Sequence, residues 1–303
     1  MNALKRIFLR HGPITVGLAP EFGALTRFDV QVGDTLVDVL RPAIDRPLAG
    51  PWALGASCFP LTPYGGRLRN GRFRFEGREL TYPLNALPEK HSSHGDGWTR
   101  PWVLTQLDRR SATMTLSYDP QAPLKYACTQ TVSVDPTQVN VAMVLGNLDS
   151  QRIPVGVGLH PYFANRVDAV LAAELPTQWG WDDELMPLER GPNPDADGFR
   201  RGKAVMDLPV AAEFDGWDGQ ARIQWPARGL SIQLTTAPRM QHAVLWVPSG
   251  KDFFCFEPTS HATDGLNARS GHPAGEHFVV LEPGQVFEQR ITFSVVPSAG
   301  PRQ

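Results

Sequence analysis

Short runs in which apolar and polar residues alternate recur along this sequence, and residues typical of tight turns separate them. Phe28, Val30 and Val32 alternate with polar neighbours, and so do Met114 and Leu116. Successive side chains on a β-strand point to opposite faces, so a period of two indicates half-buried strands. Helical spacing is rare, and the chain is therefore expected to be all-β.

Residues 126–145 carry the clearest hairpin signal. Two alternating, β-branched segments flank "DPTQ" at 135–138, and Asp-Pro favours a turn. The same pattern predicts a hairpin around the turn Pro226–Gly229 and another where Glu282–Gln285 separates two strands. The polar stretch 190–202 is expected to be a long mobile loop.

The turn residues also indicate how the strands are organised. The chain has 28 glycines and 28 prolines among 303 residues, and they fall between the apolar runs. Many short strands joined by tight turns are typical of a large antiparallel β-sandwich with elaborated loops and little helix. We expect residues 1–303 to form a single domain of this kind.

Composition narrows the class of partner and the compartment. The net charge of −2 is spread along the chain, which argues against nucleic-acid binding and favours a small, nearly neutral ligand. The longest apolar runs are too short to cross a bilayer, and no membrane partner is expected. The cysteines Cys58, Cys128 and Cys255 are far apart, so neither a disulfide framework nor a CxxC site is indicated. With no signal peptide at the N-terminus, the protein is expected to be cytoplasmic.

Common catalytic motifs are missing from the sequence. It has no GxxxxGK[ST] phosphate loop, no HExxH and no GxSxG elbow. Instead, four stretches combine proton donors or acceptors with aromatic and turn residues. These stretches are "PYGGRLRNGRF" at 63–73, "HSSHGDGW" at 91–98, "GLHPYF" at 158–163 and "FCFEPTSHATDGLN" at 254–267. Polar groups beside aromatic rings are typical of sugar sites.

The order and approximate spacing of these stretches resemble the aldose 1-epimerase (galactose mutarotase-like) family, in a divergent bacterial branch. The resemblance spans about residues 12–297 and includes the closing "LEPGQ" turn. It implies a galactose mutarotase-like supersandwich that interconverts the α and β anomers of a free or modified aldose. It also implies acid–base ring opening with no cofactor and no metal. The expected partner is a small-molecule sugar, and the expected state is a monomer or homodimer.

The resemblance also assigns roles to individual residues. It implies that Glu257 in "FEP" is the catalytic base and that His160 in "HPYF" is the catalytic acid. It further implies that Arg67, His94 and Asp215 contact the sugar. Ring opening of a hemiacetal requires removal of one proton and delivery of another, which a carboxylate and an imidazole on opposite sides can perform.

Local composition adds two chemical expectations. A glutamate partly buried among Phe253, Phe254 and Phe256 should be desolvated, which makes Glu257 a stronger base. The cation of Arg67 could stabilise charge that develops on the ring oxygen or on the transient aldehyde.

Several residues keep a second interpretation. Asp218 is an alternative to Asp215 as the sugar ligand, and either could simply form a turn. Trp98 is expected to bind substrate and, with Asp96, to set specificity, although it could equally be a core aromatic. His91 and His94 could seed a zinc site, but no nearby cysteine completes a set, and His91 is expected to be solvated or supporting.

Three other functions fit the same residues. A hexose-6-phosphate epimerase-like enzyme would use the cations of Arg69, Arg72 and Arg100. A glycosidase would pair Glu257 with Asp215 or Asp264. A non-catalytic carbohydrate-binding protein would keep the cleft without needing a matched acid and base.

Overall fold

The computed structural model describes residues 6–44, 52–268 and 278–297 of the chain. Two large antiparallel sheets dominate this part, one of eleven strands and one of nine. The expected all-β architecture with little helix is confirmed. No helix in these ranges has the length and apolar character needed to cross a membrane.

The strands of the two large sheets and of three smaller sheets have the following bounds. The larger sheet contains β1 (Ile7–His11), β2 (Ile14–Ala19), β3 (Ala24–Val32), β4 (Thr35–Leu40), β5 (Cys58–Leu61), β15 (Gly158–Ala164), β17 (Thr177–Trp181), β18 (Pro187–Pro192), β20 (Ala211–Asp215), β23 (His242–Trp246) and β24 (Phe253–Thr259). The second sheet contains β10 (Trp102–Leu107), β11 (Ser111–Leu116), β12 (Tyr126–Val134), β13 (Gln138–Asn147), β16 (Val170–Ala173), β19 (Lys203–Ala204), β21 (Gln220–Trp225), β22 (Leu230–Thr236) and β26 (Val286–Pro297). The two-stranded sheets pair β6 (Arg67–Leu68) with β9 (Ser92–Ser93), β7 (Arg72–Phe75) with β8 (Arg78–Thr81), and β14 (Ile153–Val155) with β25 (Val279–Leu281).

The larger sheet runs in the order β1-β2-β3-β4-β15-β24-β23-β20-β17-β18, with β5 against β3 and β15. The second sheet runs β10-β11-β12-β13-β26-β22-β21-β16-β19. Strands β15 and β24 are therefore central in the larger sheet although nearly 90 residues separate them in sequence. Two of the four chemically suggestive stretches lie on these two strands.

Helical structure in the described ranges is limited to one α-helix, α1 (Ala196–Arg201), and short 3-10 helices. The 3-10 helices are Pro20–Phe22, Trp52–Gly55, Arg69–Gly71, Val205–Asp207, Pro226–Arg228 and Gly265–Asn267. The prediction of a long mobile loop at 190–202 is wrong, because β18 runs to Pro192 and α1 follows. Phe199 of α1 is buried against Phe214, and the Asn193 amide donates to the Leu175 carbonyl at 2.8 Å.

Two of the three predicted hairpins are confirmed. Strand β12 pairs with β13, and alternate residues of both are buried. Strand β21 pairs with β22 around the Pro226–Arg228 turn. The third prediction is wrong, since β25 pairs with β14 while β26 pairs with β13 and β22. The backbone of Asn147, at the end of β13, bonds to the backbone of Gly284 and Gln285. The turn between β25 and β26 therefore packs against β13, and β25 and β26 do not pair with each other.

The main core lies between the two large sheets. Phe163 of β15 packs against Trp225 and Phe293 of the second sheet, with ring centroids 6.5 and 6.4 Å apart. Every residue of β15 and β24 is buried, because their other face is also covered. Leu159 and Phe163 therefore enter the core, whereas His160 and Tyr162 point to the opposite face.

Candidate active site

One row of side chains crosses the outer face of the larger sheet. The register pairs Phe59 with His160, Glu257 with Val244, and Val244 with Glu213. His160 lies opposite Glu257, because the pairs on either side of it in β15 and β24 are in register. Partners across antiparallel strands share a face, so the sheet brings together residues from distant parts of the chain.

A cavity of about 660 Å³ lies over this row. On one side its lining comes from β15, β20, β23 and β24, where His160, Tyr162, Trp246 and Glu257 contribute side chains. On the other side it comes from Arg67 and from loops within 84–98 and 181–185. This volume is typical of sites for small molecules.

His160 and Glu257 meet at the buried end of the cavity. The His160 Nε2 lies 3.3 Å from the Glu257 Oε1, and the two residues are only 5% and 3% exposed. The two groups are adjacent on the same sheet face, so the expectation that they stand on opposite sides is wrong. Either can exchange a proton with the other or with a molecule in the cavity.

The aromatic residues around Glu257 divide between the two sheet faces. Phe254 and Phe256 belong to the core between the sheets, whereas Phe253 and Cys255 belong to a second apolar cluster on the cavity side. The expected burial of Glu257 among three phenylalanines is therefore correct for one of them. Alternation along β24 places the other two on the far face.

Burial changes the proton affinities of this pair. Desolvation raises the pKa of Glu257 to about 8; the Arg67 cation opposes this rise, and Glu213 adds to it. Desolvation also lowers the pKa of His160 well below its usual range, helped by His94 and by the cation of Arg41. The pair therefore holds its proton on the carboxyl group at neutral pH, with the imidazole neutral.

The His160 ring sits inside a column of stacked groups. It packs between Phe59 and Tyr162, with both centroid distances 4.6 Å. Trp98 stacks on the far side of Phe59 at 5.4 Å, and the Arg41 guanidinium lies over Tyr162 at 3.8 Å from its ring centroid. The column fixes the plane of the imidazole, and it keeps a cation two layers away.

His94 presents a defined nitrogen to the cavity. The ring Nδ1 accepts the Gly66 backbone N–H at 3.2 Å. The backbone N–H of His94 donates to the Gly66 carbonyl at 2.8 Å. Burial and the Arg67 cation lower the pKa of His94, so the ring is neutral. A neutral ring that accepts through Nδ1 carries its proton on Nε2, which makes Nε2 a donor.

The glycines of "HGDGW" allow this loop to pass close to another segment. Gly95 has a φ of +67°, and a Cβ there would lie 2.4 Å from the Thr62 carbonyl oxygen. A side chain is therefore excluded both by conformation and by space. The Trp98 indole N–H donates to the carbonyls of Ser93 and Gly95. Its ring lines the cavity but is only 1% exposed within the second apolar cluster, as the core-aromatic interpretation expects.

Arg67 and Asn85 belong to the loop side of the cavity. Arg67 lines the cavity with its Nε 3.4 Å from the Glu89 Oε2. Asn85 was not singled out from the sequence, yet its side-chain amide bonds the backbone of Ser93 twice and that of Gly95 once. These bonds fasten one loop of the cavity wall to the other.

Asp215 and Asp218 do not line the cavity. The Asp215 carboxylate lies on the next row of the sheet, where it accepts from Arg190 and faces the His242 ring. Asp218 is exposed and accepts the Gln220 N–H at 2.9 Å, which is a turn contact. Neither arrangement supports the expected contact with a sugar.

Two other residues of "HSSHGDGW" also lie outside the cavity. His91 is buried, where it accepts the Asn70 N–H and approaches Glu184, so it is not solvated. Asp96 accepts from the Tyr126 hydroxyl at 2.6 Å and from the Arg100 guanidinium at 3.0 Å. Asp96 thus anchors the loop to the second sheet, and Trp98 alone of the expected specificity pair reaches the cavity.

Glu213 is a buried acid that the sequence patterns did not identify. It lies on the same row as Glu257, with Val244 between them, and its Oε1 accepts the Thr263 N–H at 2.7 Å. Desolvation raises its pKa to about 7. Its position one strand beyond Val244 lets its charge act on Glu257, although it does not line the cavity.

The zinc hypothesis for His91 and His94 finds no support in their positions, because only His94 reaches the cavity. Within the described ranges, donor atoms of His160, Cys255 and Glu257 lie within 4.8 Å of one another. Burial holds the pKa of the Cys255 thiol well above its usual range. A metal there would also occupy the acid–base pair, and we assign none.

Comparisons with known proteins agree on one family. The profile described as aldose 1-epimerase matches residues 9–294. YphB, an uncharacterized protein of Escherichia coli K12, is 29% identical over 286 residues, which cover 91% of this chain and 94% of YphB. YihR, also an uncharacterized protein of Escherichia coli K12, is 30% identical over 253 residues, covering 78% of this chain and 77% of YihR.

Solved structures extend the comparison to the fold. A candidate aldose 1-epimerase from Escherichia coli K12 superposes with a TM-score of 0.85 at 27% identity, covering 97% of this chain and 99% of that one. A galactose mutarotase-like protein from Clostridium acetobutylicum has a TM-score of 0.82 at 15% identity, covering 96% and 95%. The mutarotase-like fold implied by the sequence resemblance is confirmed.

Proposed function

The chain belongs to the aldose 1-epimerase family, and on that basis we propose that it interconverts the α and β anomers of an aldose. Glu257 and His160 are the proposed base and acid. The observation that carries the proposal is their contact at 3.3 Å at the buried end of a cavity of small-molecule size. Their adjacency suits this reaction, because the two reacting oxygens of a hemiacetal are bonded to the same carbon.

The proposed reaction moves two protons and breaks one bond. The base takes the proton of the anomeric hydroxyl while the acid delivers a proton to the ring oxygen, and the bond from C1 to the ring oxygen breaks. The resulting open-chain aldehyde rotates about the C1–C2 bond, and the reverse steps close the ring on its other face. The pair gains one proton and loses one, so it ends the cycle unchanged.

The number of protons on the pair decides when it can act. One shared proton is required. Because it rests on Glu257 at neutral pH, it must first cross the 3.3 Å contact to His160 before Glu257 can act as the base and His160 as the acid. The raised pKa of Glu257, about 8, sets the upper limit of this state, and the lowered pKa of His160 extends it toward acid pH. Anomer exchange is expected to follow a bell-shaped pH profile that declines above about pH 8.

Three further side chains are proposed to bind the sugar. Arg67 lines the cavity with its cation near Glu257, and we propose that it donates hydrogen bonds to hydroxyl oxygens of the bound sugar. The Nε2–H of His94 is a donor for a ring or hydroxyl oxygen. Trp98, which is buried but lines the cavity, is the third.

The proposal is tested by NMR exchange spectroscopy of α and β anomers across a panel of free aldoses. The Glu257→Gln variant should lose about 10²–10⁴-fold of the acceleration, the usual contribution of general acid–base catalysis. The matched control is Glu288→Gln, an exposed glutamate on β26, which should keep wild-type rates. Full activity in Glu257→Gln would overturn the proposed mechanism.

The positions of other side chains bear on the alternatives. Arg69 pairs with Asp182 and Asp264, Arg72 is exposed on β7, and Arg100 is bonded to Asp96. None of these arginines lines the cavity, so the arrangement does not favour a phosphorylated sugar.

Asp264 likewise accepts the Arg69 and Asn267 N–H groups instead of facing Glu257 in the cavity. With Asp215 also outside the cavity, neither aspartate expected to pair with Glu257 in a glycosidase lies beside it there. Tight sugar binding in calorimetry without faster anomer exchange would instead identify a non-catalytic binding protein.

A further inference from the structure

The two ends of the cavity differ in chemistry. At the buried end lie the polar groups of His94, His160 and Glu257. At the open end the lining includes Leu84 and Leu87, which are 43% and 76% exposed. Exposed apolar side chains that group beside a ligand groove mark contact sites, whereas scattered ones do not, and both leucines line this one cavity.

The exposed leucines stand on a fastened loop. Between them, the Asn85 amide donates to the carbonyls of Ser93 and Gly95 and accepts the Ser93 N–H, all at 2.8 Å. These three bonds join the loop to the segment that carries His94. Leu84 and Leu87 are therefore kept at the cavity mouth at a fixed distance from the acid–base pair.

Other parts of the lining are also apolar, and one of them carries backbone strain. Trp181, Leu185 and Trp246 line the cavity and are half-buried. Leu185 has a φ of +56°, a left-handed conformation that is rare for a branched side chain. Strain of this kind persists where the surrounding structure imposes it and often marks ligand sites. Here it keeps a leucine in the cavity lining.

Charge at the mouth is balanced. Among the described lining residues away from the acid–base pair, the charged side chains are Arg67 and Glu89, and they face each other at 3.4 Å. A phosphate, sulfate or carboxylate on the outer part of a sugar would meet a cation that already has a partner. An uncharged, apolar group meets leucine and tryptophan side chains.

We propose that the substrate is an aldose that carries an alkyl or acyl group on the part of the ring remote from the anomeric carbon. This inference rests on the proposed function, because the anomeric carbon must lie at the buried pair for the far side of the ring to reach the leucines. Each buried methylene contributes about 0.8 kcal/mol, or about fourfold in binding. A short alkyl chain is enough to produce a measurable preference.

The test uses 4-O- and 6-O-alkyl glucoses with methyl, propyl and hexyl chains. For at least one of the two positions, kcat/KM for anomer exchange should rise by about 15-fold from methyl to propyl, as two buried methylenes predict. In the Leu84→Ser/Leu87→Ser variant the ratio between propyl and methyl should fall towards one. The matched control is Leu188→Ser, a 52% exposed leucine outside the cavity, which should keep the wild-type ratio. A flat or falling series, or a gain that survives the double substitution, would overturn the inference.

A second measurement separates this inference from the proposed function. Methyl glycosides of the same alkyl sugars have a blocked anomeric oxygen, so they can bind but cannot exchange anomers. Calorimetry should show affinity rising with chain length in the wild type and not in the double variant. Chain-length-dependent binding without exchange of any aldose would support the apolar site and contradict the proposed function, whereas exchange without chain-length dependence would do the reverse.

Discussion

The two sides of the cavity are built by different means. On the sheet side, strand register brings together His160, Glu257, Tyr162 and Trp246, and aromatic stacking then orients the His160 ring. The loop side comprises Arg67, residues 84–89 and the segment of His94 and Trp98. Hydrogen bonds from side chains to backbone groups, and glycines packed closely against other segments, hold these residues in position. The sheet side holds the proton-transfer groups and the loop side holds binding groups, so damage to each should appear in a different kinetic constant.

The largest effect is expected from His160→Asn on the sheet side. Without the imidazole the pair has one proton-transfer group left, so kcat should fall by about 10²–10⁴-fold while KM changes little. The matched control is His91→Asn, which removes a buried histidine outside the cavity and should lower stability more than kcat. Equal losses of kcat in the two variants would show that the loss does not depend on a proton-transfer group in the cavity.

The next effect is expected from Arg67→Met on the loop side. Hydrogen bonds to charged groups contribute about 1.5–3 kcal/mol, so KM should rise about tenfold or more with a smaller change in kcat. The Arg67 cation lowers the pKa of Glu257, and its removal should raise that pKa and move the upper limb of the pH profile to higher pH. The exposed Arg72→Met serves as the control. A loss confined to kcat would contradict the binding role.

Sequence patterns predict individual strands better than they predict the contacts that build the cavity. Alternation in β11 and β12 gives the strands and their buried residues directly. The roles of His160 and Glu257 follow only from the family resemblance, and their contact was not predicted, because register between strands so distant in sequence is set by the whole sheet.

Two useful residues were missed for related reasons. Ala211, Glu213 and Asp215 lie on one face of β20, so alternation alone could have marked Glu213 as an acid on a buried face. Alternation could not show that Glu213 lies near Glu257, because that depends on how the strands pair. Asn85 has no sequence signal, because its partners are backbone groups of another loop.

A smaller effect, visible in the pH profile, is expected from Arg41→Met beneath the stacked column. Arg41 lies over Tyr162, on whose other face His160 stacks, and its cation helps to lower the pKa of His160. Removing the cation should raise that pKa, so the second proton binds the pair at higher pH. The acid limb of the pH profile should therefore move to higher pH.

The control for this change is Arg41→Lys. Lysine keeps the charge but not the paired bonds to the Leu54 and Ala56 carbonyls, so the acid limb should stay close to its wild-type position. The other titratable groups near the His160 ring are Glu257, His94, Tyr162 and Cys255, and NMR of the imidazole would separate its titration from theirs. The same shift in both variants would mean that Arg41 acts through structure and not through charge.

The smallest effect on catalysis is expected from Asp215→Asn, on the same sheet face but one row from the cavity. Burial raises the pKa of Asp215, but His242 and Arg190 outweigh it and the net shift is downward. A depressed pKa means that the ionised group stabilises the folded state above its unfolded pKa, and that this contribution is lost as pH falls through the folded value. Asp215→Asn should therefore lower the free energy of unfolding in urea at neutral pH by about 1–3 kcal/mol, leave kcat/KM close to wild type, and lose its difference from wild type in acid. A large fall in kcat/KM with unchanged stability would instead place Asp215 in the sugar site. The sheet side of the site would then extend beyond the row of His160 and Glu257.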